Sequence, residues 1–360
     1  MKLGIFVGND KNAGAFANAM AISQAYGFSK SNCDVTIVIH SDLDEIIVGE
    51  KIDTDFQDLK IKLVKSTKPI EFLKSCEWVI WNSYRSEDAE LLNELKLCGV
   101  KLTKNFPRLL STGDGSDVNK LESRLNSFNF VAFALKSDAE IAKTLSGEQK
   151  RFSYIPRGFI SQWLNFDHPN EKLKISVDGP VRPKSIPADI WNPTEVMREL
   201  TSALDIVRRE FNELSVTTSR VKLPLQYSKR IPSLPMRAFY SEFFMGCNLY
   251  ICAPFSRSRQ SGTGFTGDGF LGVYENQVVE AQLAGAAVIG EQFTIAPELT
   301  SNWQNDRFLN FSDSESMAEA ILLTLKETQG LGELIKEWAQ EKHDSVKTSK
   351  NWLEHLEKLS

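Results

Sequence analysis

From Lys2 to Leu135 the chain alternates short β-branched or aromatic runs with longer stretches whose apolar residues recur every three or four positions. That alternation is the pattern of βαβ units, in which helices cover a parallel sheet. It predicts strands from Lys2 to Val7, Val35 to His40, Leu59 to Val64, Trp78 to Asn82, Leu109 to Ser111 and Phe130 to Leu135. Helices are predicted from Ala15 to Ala25, Ile70 to Cys76, Ser86 to Leu97 and Asn119 to Asn126. Near Arg151 the pattern resets: RFSYIPRGF reads as one more strand, and the polar HPNEKLK behind it marks a linker at about residues 160 to 172.

A second alternating series predicts a strand from Ile175 to Val177, a helix from Glu195 to Glu213, a strand from Leu214 to Thr218, a helix from Arg237 to Gly246 and a strand from Leu249 to Cys252. The segment from Ser256 to Gly272 is rich in Gly, Ser and Arg and reads as a loop. A helix from Glu275 to Ala284, stopped by Gly285, leads into a buried strand from Ala287 to Ile289. A strand from Phe308 to Phe311, a helix from Glu315 to Glu327 capped by Ser312 or Asp313, and two amphipathic helices complete the pattern. The expectation is an α/β protein of two doubly wound, Rossmann-like domains facing a central cleft. The first spans residues 1–165 and the second 172–340, with residues 341–360 as a C-terminal helix placed to pack back on the first.

Composition adds limits. At 360 residues, 42% hydrophobic and 25% charged, the chain has material for two globular domains. A formal net charge of −5 excludes a generic polyanion binder, so any nucleic-acid contact needs a local basic surface. No stretch reaches the apolar length of a membrane span and MKLGIFVGND lacks a signal-peptide pattern, so a cytoplasmic location is expected. The five cysteines are odd in number, widely spaced and set in apolar segments, which favours buried thiols over disulfides or a zinc site.

Open α/β sheets bind ligands at the carboxyl ends of their strands, so the loops there are where chemistry is sought. Glu275 and Glu280 share one helix behind the Gly-rich loop. Carboxylates there can accept hydrogen bonds from vicinal sugar hydroxyls and a ribose, while the helix start favours a diphosphate; the competing reading makes Glu275 a dipole cap and Glu280 a solvated acid. Asp114, in a Gly-flanked turn, is either a base that positions an acceptor hydroxyl or an ordinary Asp-Gly turn residue. Arg182 and Lys184 follow the second domain's first strand and suit a diphosphate, with Lys222, Lys229 and Arg230 behind them. Gly8 and Gly14 flank a loop that lets backbone approach a ligand, but their spacing is not that of a dinucleotide fingerprint. From Ser215 to Ser261 seven cations (Arg220, Lys222, Lys229, Arg230, Arg237, Arg257, Arg259) face one acid, Glu242. This strip either tracks DNA phosphates, with Phe265 or Phe270 against an extruded base, or serves the diphosphate and solubility. The Asp42/Asp44 pair opens an acidic surface stretch and the four histidines are scattered, so no metal is assigned.

The run YENQVVEAQLAGAAVIG resembles the donor-binding helix and following strand of retaining GT-B glycosyltransferases, with Glu280, Ala281 and Gly285 in register. Glu275 lies five residues before Glu280, a spacing similar to that of the DNA α-glucosyltransferase family of T-even bacteriophages. WNSY at 81–84, STGDGSD at 111–117 and LKSD at 135–138 fall in the same order as strand-end segments of that family. The resemblance implies a UDP-sugar donor, no required cofactor, a divalent metal at most stimulatory, and transfer with retention to 5-hydroxymethylcytosine in double-stranded DNA. It implies Asp114 and Glu275 as catalytic residues and Gly14, Arg182, Lys184, Glu275 and Glu280 on the donor side, with Lys222 and Arg230 as fallback candidates there. Asn82 and Ser83 fall on the acceptor side, joined by Arg257, Arg259, Phe265 and Phe270 of the basic strip. Here Gly113 and Gly115 flank Asp114 where the related pattern has histidines. A transferase building a surface glycan and a catalytically silent nucleotide-sugar or DNA-binding module remain as alternatives.

Overall fold

The computed structural model describes residues 1–8, 14–40, 59–82, 89–106, 125–166, 172–178, 193–219, 223–232, 234, 236–252, 276–290, 295, 297–300, 309–310 and 313–359. They form two compact units, residues 1–160 with 342–360, and residues 161–341.

The first unit grows from β1 (Lys2–Val7), which is buried from Leu3 onward, as a strand covered on both faces requires. In chain order follow α1 (Gly14–Lys30), β2 (Asp34–His40), β3 (Ile61–Ser66), α2 (Ile70–Leu73), β4 (Trp78–Asn82), α3 (Ala89–Leu97), β5 (Lys101–Phe106), β6 (Phe130–Phe133), α4 (Lys136–Ser146) and β7 (Phe152–Tyr154). The seven strands are parallel, in the order β3-β2-β1-β4-β5-β6-β7. Growth of the sheet reverses between β1 and β4, whose carboxyl ends Val7 and Asn82 pair. One face is packed by Phe6, Val79, Trp81, Leu102, Phe106 and Phe133.

Several elements of this unit differ from the sequence pattern, among them α4, where the pattern gives no helix. β5 occupies 101–106, while the strand expected from Leu109 to Ser111 lies outside the described residues. Its sequence KLTKNF reads as polar, yet Thr103, Lys104 and Asn105 are all buried. Lys104 manages this with its ammonium 5.1 Å from the ring centre of Phe106 and 5.8 Å from that of Phe128. The expected strand from Phe130 to Leu135 stops at Phe133, because Leu135 already flanks α4. Among the cysteines, Cys33, Cys76, Cys247 and Cys252 are buried thiols, and burial raises the first three above the usual thiol range. Cys98, expected to be buried, is exposed just past the end of α3.

The second unit contains β8 (Lys174–Asp178), α5 (Pro193–Glu210), β9 (Ser215–Thr218), β10 (Ser228–Arg230), α6 (Met236–Phe244), β11 (Leu249–Cys252), α7 (Asn276–Leu283), β12 (Ala287–Gly290) and α8 (Ser314–Thr328). Its five strands are parallel, in the order β10-β9-β8-β11-β12. Here the reversal falls between β8 and β11, with Asp178 paired to Cys252. Ile175, Val177, Ile251 and Ile289 of the sheet pack with Leu200, Leu204 and Val207 of α5 and Ile321 of α8. The short β10 escapes the pattern because it is a charged edge strand: Lys229 and Arg230 are exposed, as unpaired sheet edges favour. Of the strand expected from Phe308 to Phe311, Leu309 and Asn310 are described and lie in no strand, although Leu309 N–H donates to the Gly290 carbonyl at 2.7 Å. Asp313 caps α8, accepting from the amides of Glu315 and Ser316 at 3.1 and 3.3 Å.

The last elements are α9 (Gly332–His343) and α10 (Ser345–Lys358), and the chain re-enters the first unit at Lys342. Phe159 N–H donates to the His343 carbonyl and Ser345 N–H to the Phe159 carbonyl, both at 2.8 Å. Asp344 caps α10 through the amides of Val346 and Lys347. α10 lies on α1, with Trp352 edge-on to Phe28 and Phe130 at 6.4 and 5.7 Å. A side chain at Gly27 would collide with the Ser345 carbonyl and the Ser349 hydroxyl, so the helices meet where α1 has no Cβ. His343 is wholly buried, its Nδ1 donating to the Arg157 carbonyl at 3.1 Å. Burial is the main cause that pushes its pKa down to about 4; the bond to Arg157 opposes this and the charge of Lys342 adds to it. Among the described residues no helix is long and apolar enough to cross a membrane.

Candidate functional site

In the second unit, α7 is the crossover between the parallel strands β11 and β12. Its last turn leads straight into β12, so its amino end lies at the carboxyl ends of the strands, beside the reversal point. The stop is sharp. Gly285 takes φ 84°, its N–H bonds the Gln282 carbonyl and Ala286 N–H bonds the Ala281 carbonyl, both at 2.9 Å, which closes the helix end. Upstream, every residue of α7 except Gln277 is buried, because the helix is wedged against β11 and β12.

Glu280 is therefore an acid inside the fold, 5% exposed, and the solvated alternative does not hold. A buried carboxylate without donors would be strongly unfavourable. Tyr240 of α6, itself 2% exposed, donates its hydroxyl to Glu280 Oε1 at 2.7 Å. Burial first, and the Glu280 charge second, push the Tyr240 phenol well above its usual range, so it remains a donor. Phe239 and Phe244 flank the Tyr240 ring at 6.4 and 6.1 Å. One turn earlier on α7, the Tyr250 hydroxyl of β11 meets Gln277 Oε1 at 3.5 Å. Gln282, fully buried, donates to the carbonyls of Val278 and Leu299 at 3.0 and 2.6 Å. The polar groups of α7 are thus braced from a helix, a strand and a short turn.

At the reversal point of the first unit, Gly8 N–H donates to the Asn82 carbonyl at 3.3 Å. The Asn82 amide donates to Gln24 Oε1 of α1 at 3.0 Å, so the strand end and the helix that follows β1 are tied together. Gly14 opens α1. Asn105 ends its strand's run of buried polar residues with a side-chain oxygen that has no hydrogen-bond partner among the described residues.

Of the catalytic, donor-side and acceptor-side residues singled out from sequence, Gly8, Gly14, Asn82, Lys229, Arg230 and Glu280 are described. Asn82 and Gly14 belong to the first unit, Glu280 and Arg230 to the second. Arg230 is exposed at the carboxyl end of the edge strand β10, with β9 between it and β8. In the basic strip, Lys229 forms an ion pair with Glu242 at 2.7 Å, and that ammonium holds the Glu242 carboxyl below its usual range. Asp114, Ser83, Arg182, Lys184, Lys222, Arg257, Arg259, Phe265, Phe270 and Glu275 lie outside the described residues, as do Asp42 and Asp44. No three His, Cys, Asp or Glu side chains converge among the described residues. Tyr240 was missed because RAFYSEFF reads as a core-facing aromatic run; the only hint was that a buried tyrosine hydroxyl needs a partner.

Two reversal points in two parallel sheets define a class: the GT-B fold, two Rossmann-like units in one chain. Solved structures of that class are similar over nearly the whole length. HepE of Anabaena in complex with UDP-glucose has a TM-score of 0.65 at 12% identity, covering 99% of this chain and 100% of its own. An α-glucosyltransferase in complex with UDP and a 13-mer DNA containing an HMU base has a TM-score of 0.63 at 12% identity, covering 98% of each chain. A putative UDP-N-acetylglucosamine 2-epimerase from Listeria monocytogenes has a TM-score of 0.61 at 12% identity, covering 98% of this chain and 94% of its own. No family model matches the chain, and no curated protein matches it in sequence. The likeness is one of fold, and fold alone does not choose a reaction.

Proposed function

We propose that the chain is a retaining glycosyltransferase that takes a sugar from a UDP-sugar held mainly by its second unit and transfers it to 5-hydroxymethylcytosine in DNA. The observation that carries the donor half is Glu280, a buried acid held by Tyr240 on the crossover helix that starts at the reversal point. In this reading Glu280 accepts hydrogen bonds from the ribose hydroxyls, and Glu275, five residues earlier in the sequence, takes those of the transferred sugar. The amino end of α7, with Arg182 and Lys184, stabilises charge on the departing diphosphate, an effect of a kind worth about 3 to 4 kcal/mol per donor. The acceptor hydroxyl attacks the anomeric carbon as the bond from that carbon to the phosphate oxygen breaks. The bonding pair leaves with UDP, whose phosphate oxygen takes the acceptor proton on the same face, so configuration is retained without a covalent carboxylate intermediate. Asp114 orients the acceptor hydroxyl.

The DNA half rests on the resemblance of WNSY, STGDGSD and LKSD, on the cations of the strip, and on the fold shared with an α-glucosyltransferase bound to DNA. UDP in that complex and UDP-glucose in that of HepE support the uridine donor. The test is mass spectrometry of duplexes carrying 5-hydroxymethylcytosine or cytosine, incubated with the protein and a panel of UDP-sugars. The expected product is one added glycosyl residue on the hydroxymethylated duplex only, with binding that weakens about tenfold or more between roughly 50 and 200 mM salt. Donor consumed with a carbohydrate acceptor and no DNA product would refute the DNA half. A panel left wholly untouched would refute the transferase reading.

A further inference from the structure

The buried contact between α6 and α7 bears on how the donor is held. Glu280 is the only acid of α7, and it lies in the middle of the helix rather than at its end. A carboxylate there is not fixed by the helix backbone, because its side-chain torsions remain rotatable. What fixes it on the second unit's α6 side is Tyr240, whose hydroxyl reaches Oε1 at 2.7 Å from a ring that is itself 2% exposed. Tyr240 cannot turn away. Phe239 and Phe244 flank it, and Phe243 stacks on Phe239 at 5.0 Å and meets Tyr250 at 6.3 Å, so α6 and β11 hold one aromatic block around the hydroxyl. A phenol in that block has one polar atom to place, and it is placed on Glu280.

We propose that Tyr240 is a positioning residue for the donor site: it sets the orientation in which Glu280 meets the ribose diol of a uridine diphosphate, and so sets the preference for ribose over deoxyribose. This rests on the donor reading given above. The hydroxyl does not touch the ligand. It removes rotamers of Glu280 that bind water or a single hydroxyl as well as they bind two, so losing it costs diol binding specifically.

The experiment is calorimetric titration of UDP and 2′-deoxy-UDP into the full chain, first as wild type and then as Tyr240→Phe, which keeps the ring and its packing. The wild type is expected to bind UDP tighter than 2′-deoxy-UDP. In Tyr240→Phe, UDP binding is expected to weaken about five- to tenfold while 2′-deoxy-UDP changes by less than about twofold, so the ratio collapses. A residue that merely fills the core would shift both nucleotides alike, and an unchanged ratio in a folded Tyr240→Phe overturns the proposal. Should that variant fail to fold because it strands a buried charge, the comparison is made between Glu280→Gln and Tyr240→Phe/Glu280→Gln. There the ratio must again fall on losing the hydroxyl, and equality overturns the proposal. Absence of UDP binding by the wild type is a separate result: it defeats the donor reading and this inference with it.

Discussion

Replacing Glu280 with alanine is expected to abolish measurable transfer, with a loss of about a hundredfold or more in kcat/KM. Two hydrogen bonds from a diol to an ionised carboxylate are lost, each worth about 1.5 to 3 kcal/mol, and tenfold corresponds to about 1.4 kcal/mol. Alanine also strands the Tyr240 hydroxyl in a site from which water is excluded, at about 1 to 3 kcal/mol of stability. The two effects separate in Glu280→Gln. Its carbonyl still accepts from Tyr240, so the melting temperature should stay near that of the wild type, while UDP affinity still falls about tenfold because the acceptor is no longer charged. Thermal melting and UDP titration of the pair check this. Two folded variants that bind UDP as the wild type does would remove Glu280 from the site.

The second large effect concerns acid. His343 is neutral in the folded protein, with a pKa of about 4 against 6.5 for the free side chain, because it is buried between the Phe159 crossing and the start of α10. Its folded pKa is depressed, so the unfolded chain binds a proton below pH 6.5 that the folded chain refuses until about pH 4. The contribution of His343 to stability is therefore fully present above about pH 6.5 and is lost as the pH falls through that window to about 4. A gap of that width between the folded and unfolded pKa corresponds to roughly 3 kcal/mol. The measurement is the opening free energy of α10 amides by hydrogen exchange from pH 7 to 4.5, in the wild type and in His343→Gln. The wild type should lose stability through the window faster than the variant, and parallel curves would contradict the assignment.

The elements most readable from sequence were those whose burial leaves a simple pattern. β1, β4 and β11 are apolar at nearly every position, and α7 with its Gly285 stop was legible to within a residue at each end. β5 was not, because Lys104 buries its stem and offers its ammonium to two phenylalanine rings, a solution that exists only once Phe128 is in place. β10 was not, because an edge strand of Ser, Lys and Arg carries no apolar signal. At the candidate site the same division appears. Glu280 stood out as the one acid of a helix that runs into a buried strand, where a carboxylate needs a reason. Tyr240 and Gln24 did not, since each acquires its role from a partner 40 and 58 residues away. Side chains that matter through a long-range contact leave no local spacing to read.

Donor use by this chain depends on where the second unit holds a uridine diphosphate. The most direct measurement is a crystal structure of the full chain grown with UDP. It should show the ribose hydroxyls within hydrogen-bonding reach of Glu280, the diphosphate over the amino end of α7, and Tyr240 still bonded to the acid. A nucleotide seated elsewhere, with Glu280 in contact with protein alone, would contradict it.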